Sequence, residues 1–174
     1  MELWQAFGKI VLGGIFMISA ATKLRDFQAF RSSLTGALPV IPSLAFVVAG
    51  GTPAVEILVS VAICVERTTY FGFLAATLLL AAFTAYIVYL LKSSTKLVCS
   101  CFGASTRPVS GVHLGRNIVL LLVSGSCMLS GSDVVSPAMD DYLYVLAPAL
   151  ISLAIVTRLD DISTFFGSPT PGSF

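Results

Sequence analysis

The chain has 174 residues, 56% of them apolar and 11% charged, and ten Lys or Arg against nine Asp or Glu leave a net charge of +1. Soluble domains carry about 25% charged residues, and mean hydropathy here is +0.95. Disorder is excluded, because it needs low hydrophobicity and high net charge. A nucleic-acid partner is excluded too, because no basic surplus exists to displace counterions from phosphates. So few charges cannot cover the surface of an 18.3 kDa soluble globule. What remains is an all-α polytopic helical bundle in a lipid bilayer.

A hydrocarbon core about 30 Å thick needs about 20 mostly apolar residues in helical form. Five stretches qualify, four as core transmembrane helices and one as a fifth candidate. The first runs over 3–22 and is interrupted by Lys9. It starts with Met1-Glu2 and is followed by Lys23 and Arg25, the reverse of a signal peptide's charge order, so it reads as a retained helix. The second, 44–65, contains Pro53 and Glu56; the third, 68–91, carries no charge. The fourth, 112–130, holds Arg116 and Asn117 near its start, and the fifth, 142–157, is short and contains Pro148. Residues 1–159 thus form one membrane domain, and 160–174, ending in a Gly, Ser and Pro-rich run, reads as a disordered tail.

The connections differ in character. The first holds Lys23, Arg25 and Arg31, then Gly36, Pro39 and Pro42, which keep its end non-helical. Glu66-Arg67 is a tight turn, so the second and third spans form an antiparallel hairpin. The third connection, Lys92 to Gly111, is long for a bundle, and such loops are usually functional. With five spans, Lys23, Arg25, Arg31, Lys92, Lys96, Arg107, Arg116 and Arg158 fall on one side, against Lys9 and Arg67 on the other. Positive-inside counting places the first and third connections in the cytoplasm of a multi-pass cell-membrane protein.

Four cysteines are present: Cys64, Cys99, Cys101 and Cys127. Cys99 and Cys101 sit in the third connection, one residue apart. A disulfide between residues i and i+2 closes a small ring that departs from relaxed geometry, which suits thiol–disulfide exchange better than stapling. Arg116 is the cation placed to favour a thiolate there. Cys64 and Cys127 end the second and fourth spans on the opposite side, either as small packed hydrophobes or as a second thiol pair. Cys99, Cys101 and His113 make three ligands where a structural zinc needs four, so no metal site is assigned. Within the spans, Glu56 lies roughly 13 Å and Lys9 roughly 10 Å deep by helical rise. They either pair in the bundle interior, or Glu56 is neutral and bonded to a neighbouring Ser or Thr.

Several ordered motifs together resemble a known family. Gly14-Ile15-Phe16 through Ser19-Ala20-Ala21-Thr22-Lys23-Leu24-Arg25-Asp26-Phe27 looks like the opening motif of the DoxX-like superfamily. Pro53-Ala54-Val55-Glu56, Cys99-Ser100-Cys101-Phe102-Gly103 and Arg116-Asn117 are similar to motifs of the methylamine utilisation protein MauE family, with Ser100 where glycine is commoner. The resemblance covers about Leu3 to Leu129. It implies a membrane protein that works with a thioredoxin-like partner to mature a disulfide-containing exported client, methylamine dehydrogenase in that family's context. Quinone is the electron sink in bundles of the DsbB and vitamin K epoxide reductase type, but no residue here identifies one. An exported client sits awkwardly with a cytoplasmic Cys99–Cys101 loop: either the topology is inverted, or electrons pass outward from a cytosolic donor. The competing readings are a non-catalytic membrane scaffold with structural cysteines and a metal-handling protein built on Cys99, Cys101 and His113.

Overall fold

The computed structural model describes residues 2–37, 42–92, 111–130 and 139–166. Among them the chain forms α1 (Glu2–Arg25), α2 (Phe27–Ala37), α3 (Pro42–Cys64), a single 3-10 turn (Glu66–Thr68), α4 (Thr69–Lys92), α5 (Gly111–Leu129) and α6 (Met139–Phe166). Four helices, α1, α3, α4 and α5, are long and apolar enough to cross a membrane; the apolar part of α6, Tyr142–Arg158, is shorter. The protein is an all-α, multi-pass membrane bundle. Its outer surface fits that setting, since Leu58, Phe71, Leu122 and Leu143 are each about two-thirds exposed. In lipid such side chains meet acyl chains, and a helical backbone supplies most of its own hydrogen bonds.

Two segments differ from the sequence-based expectation. The first connection is largely helical: α1 continues through Lys23 to Arg25, and α2 follows almost at once. The backbone stays bonded across the junction, with Asp26 N–H donating to the Thr22 carbonyl and Phe30 N–H to the Asp26 carbonyl, each at 3.0 Å. The reason for α2 is amphipathicity. Phe30 and Leu34, one turn apart, bury against Ala49 of α3, while Arg31 stacks on the Phe46 ring at 5.6 Å. At the other end of the chain, α6 runs to Phe166, past Asp160, where the sequence places the start of a tail.

α1 lies at the centre, with 56% of its apolar window buried inside the protein against 22–33% for the other three spans. It runs antiparallel to α3, as cross-links at two levels show. Ser60 Oγ donates to the Gly13 carbonyl at 2.9 Å, and Ser19 Oγ donates to Glu56 Oε1 at 3.0 Å. α3 and α4 form a hairpin so close that a Cβ on Gly72 would lie 2.6 Å from the Ile63 backbone nitrogen. α4 and α5 are tied by the Ser124 hydroxyl, which donates to the Phe73 carbonyl at 3.1 Å and lies 2.9 Å from the Thr77 hydroxyl. α6 packs on α1 where Leu153 covers Gly14. One continuous core follows, with Leu12, Ile15 and Phe16 of α1 meeting Ile63 of α3, Phe73 and Leu80 of α4, Leu120 of α5 and Ala149 of α6.

Candidate functional site

α1 carries Ser19 and Lys23 one turn apart, so both side chains share a face. That face meets α3 at Glu56. Lys23 Nζ donates to Glu56 Oε1 at 2.5 Å and to Ser19 Oγ at 2.6 Å, while Ser19 Oγ donates to the same carboxylate oxygen. The three groups form a closed polar triangle in which Lys23 is 1% and Glu56 0% exposed. Aromatic faces complete the ammonium's surroundings, with the Phe30 ring centroid at 5.6 Å and that of Phe83 at 5.3 Å. Such contacts add attraction where a cation is desolvated. An ion pair this dry holds because each charge is matched; removing either member would leave the other stranded.

The triangle forms one wall of an internal pocket. Tyr86 of α4 and Arg116 and Asn117 of α5 supply further polar lining, and Ile15, Phe16, Leu80, Phe83, Ile87 and Leu120 supply the apolar walls. The space enclosed, its opening included, is ≈ 440 Å³. Arg116 and Asn117 are 5% and 4% exposed. They lie about 8 Å along the helix from the start of α5. Buried atoms without a hydrogen-bond partner include Glu56 Oε2 and Asn117 Nδ2, both on residues that line this space. Nearly all buried polar atoms in native proteins are partnered, so an acceptor and a donor left open together mark the pocket as chemically incomplete.

The cation that meets Glu56 is Lys23, not Lys9. Pairing by depth alone fails because register decides the partner. With Ser19 level with Glu56, Lys9 sits about 15 Å further along α1, beyond the Gly13–Ser60 bond. Lys9 is itself buried, at 5% exposure. Lys23, placed by the sequence in a connection, belongs instead to the last turn of α1. Ser19, Lys23, Phe83 and Tyr86 are the site residues that sequence reasoning passed over. Their available signal was the one-turn spacing of Ser19 and Lys23 within the opening motif.

Cys64 and Cys127 are free thiols, the first exposed and the second buried. Both touch α1, Cys127 Sγ near Gly8 and Cys64 Sγ near Gly13. Those two positions are about 7 Å apart along the axis and on different faces of the helix. Cys127 also points its thiol at the Trp4 carbonyl, 3.7 Å away. His113 is buried in the first turn of α5. No group of three or more His, Cys, Asp or Glu side chains able to hold a metal exists among the described residues. Cys99 and Cys101, with Lys96 and Arg107, lie outside the described residues. The helix ends that flank their segment, Lys92 of α4 and Gly111 of α5, belong to the half of the bundle in which α1 also ends. The pocket lies in that half.

Comparison with known proteins returns one family. The family model described as methylamine utilisation protein MauE matches residues 1–130. No curated protein and no solved structure matches the chain.

Proposed function

The chain belongs to the methylamine utilisation protein MauE family, and from that footing we propose that this multi-pass membrane protein is a thiol–disulfide redox protein that supports the maturation of an exported, disulfide-containing client through a thioredoxin-like partner. The observation that carries the reading is the placement of the buried Ser19–Lys23–Glu56 cluster, with Arg116 and Asn117. It occupies the half of the bundle where α4 hands over to α5, and the connection between those helices holds Cys99 and Cys101. A fixed cation in the first turns of α5 favours thiolate over thiol in the adjoining segment, and thiolate is the reactive form.

One round of exchange balances between the two cysteine pairs, and reoxidation of Cys99 and Cys101 for the next round needs an electron acceptor such as a quinone. A partner thiolate attacks the Cys99–Cys101 disulfide and displaces one cysteine as thiolate, giving a mixed disulfide. The partner's second thiolate then attacks that bond. The partner leaves oxidised, and its two electrons remain on Cys99 and Cys101 as two thiols. Maturation also fits the pocket better than handling of the amine itself. An alkylammonium would need an unmatched negative charge and open aromatic faces, but the Lys23 ammonium already pairs with Glu56 through Oε1 and lies against the Phe30 and Phe83 rings.

Single Cys99→Ser and Cys101→Ser variants test the proposal. One of them retains a lone thiol that captures the partner and cannot release it, so a mixed-disulfide adduct accumulates on non-reducing gels and client maturation falls. If neither variant traps an adduct and the client matures normally in both, the scaffold reading replaces this one.

A further inference from the structure

The pocket leaves hydrogen-bonding atoms open on two different helices. Glu56 Oε2 of α3 is a buried acceptor without a donor, and Asn117 Nδ2 of α5 is a buried donor without an acceptor. Both residues line the same space, yet α3 and α5 barely touch directly, and the two atoms do not bond each other. Tyr86 and Arg116, which also line the space, have interactions of their own. The occupant is therefore read from Glu56 and Asn117 alone.

The lining sets three conditions. The occupant must give a hydrogen to Glu56 Oε2, offer an acceptor to Asn117 Nδ2, and fit where there is room for about two water molecules. Size excludes a ring, a lipid headgroup or an oxyacid. A bare anion has no hydrogen to give, so Glu56 Oε2 would only repel it. A further cation finds Glu56 already paired with Lys23 and has no acceptor for Asn117. An apolar occupant leaves both atoms open, which costs more than immobilising a water. Water meets every condition, because each molecule both donates and accepts.

We infer that this cavity is a binding site for a chain of about two ordered waters, which links Glu56 Oε2 to Asn117 Nδ2 and ties α3 to α5. Asn117 Nδ2 donates to the first water, the first donates to the second, and the second donates to Glu56 Oε2. All the bonds run in one direction and end on a carboxylate, the arrangement in which such bonds strengthen one another. Through its other oxygen, Glu56 accepts from Lys23 and Ser19 of α1. The waters thus join α1, α3 and α5 in one hydrogen-bonded unit. The site is separate from thiol exchange and does not depend on Cys99 or Cys101.

Asn117 is the only asparagine in the chain, so side-chain nitrogen-15 labelling of asparagine gives a single amide signal. The full chain is placed in perdeuterated maltoside micelles in ordinary water. Rotating-frame transfer from water protons to the Asn117 amide is then recorded by NMR. Dipolar contact with a held water gives a peak opposite in sign to one from hydrogen exchange. The expected result is a dipolar water peak in the native chain, unchanged in the double variant Cys99→Ser with Cys101→Ser, so a failed redox reading does not remove the site. Lys23→Met with Glu56→Met removes the far anchor without stranding a charge, and the peak should then fall about threefold or more while the amide signal remains. Should that variant not fold, Ile87→Phe takes its place, because the larger ring fills the cavity and expels the waters. Absence of a dipolar water peak in the native chain overturns the proposal, and so does a peak that survives either substitution at full strength.

Discussion

The Lys23–Glu56 pair gives the most demanding test of the packing described above. Its 2.5 Å separation corresponds to a gross attraction of about 7 kcal/mol at an effective dielectric constant of about 20. Most of that offsets the loss of hydration on both charges, so the net worth of the pair is small. The cost of breaking it is not. Glu56→Gln leaves the Lys23 ammonium, 1% exposed, with the Ser19 hydroxyl and two aromatic faces for company. Lys23→Met leaves Glu56 with the Ser19 hydroxyl alone. Each single change is expected to destabilise the fold by about 3–5 kcal/mol, while the double variant returns to within about 2 kcal/mol of the native chain, since no charge is then stranded. Steric trapping in bicelles measures all four unfolding free energies. Lys9→Met combined with Glu56→Gln serves as the control and should add within about 0.5 kcal/mol, as distant sites do. Additive losses for Lys23→Met with Glu56→Gln, about 6–10 kcal/mol in total, would refute the pairing and with it the register of α1 on α3.

Two further outcomes follow from close contacts. Gly72→Ala drives a Cβ into the Ala62–Ile63 backbone at 2.6–2.8 Å. The α3–α4 hairpin must then open at a cost of about 1–3 kcal/mol or more; an unchanged unfolding free energy in the same bicelle assay would show that the hairpin is looser than described. Cys64 is exposed and Cys127 buried, so maleimide in micelles should modify Cys64 well before Cys127. Replacing either by alanine should cost about 1 kcal/mol; loss of client maturation in both variants, with the fold intact, would instead make the two thiols part of the redox path.

The spans were legible in the sequence because hydrophobic length is a local property. An uninterrupted apolar run of membrane thickness has one stable solution in lipid, and α3, α4 and α5 begin and end within about two residues of where hydropathy puts them. α2 was not legible, because its apolar side is only Phe27, Phe30 and Leu34, and the Gly36 to Pro42 stretch beyond it signals a loop. The start of the tail was set too early for a similar reason, and residues 167–174 lie outside the described residues. Its charges, Asp160 and Asp161, break the apolar run without breaking the helix.

The ion pair shows where local reading stops. Depth along a helix fixes only one coordinate of a buried charge, and Lys9 and Glu56 matched in depth when each was measured from the nearest span end. The second coordinate is register, which here depends on the Ser60 hydroxyl finding the Gly13 carbonyl and on Leu153 covering Gly14. Neither contact leaves a spacing signal. The third is the length of α1: ending it at Thr22 assigns Lys23 to solvent, whereas the helix continues and turns that side chain back along its axis toward α3, the direction all helical side chains lean. Three separate motifs, Ser19 with Lys23, Pro53 with Glu56, and Arg116 with Asn117, are thereby brought to one cavity. Two cations and one carboxylate are costly to bury in an apolar bundle unless something compensates them. Lys23 and Glu56 compensate each other directly, and register, not depth, is what brings them together, so the pair is the point at which the fold of this bundle is most exposed to a single substitution.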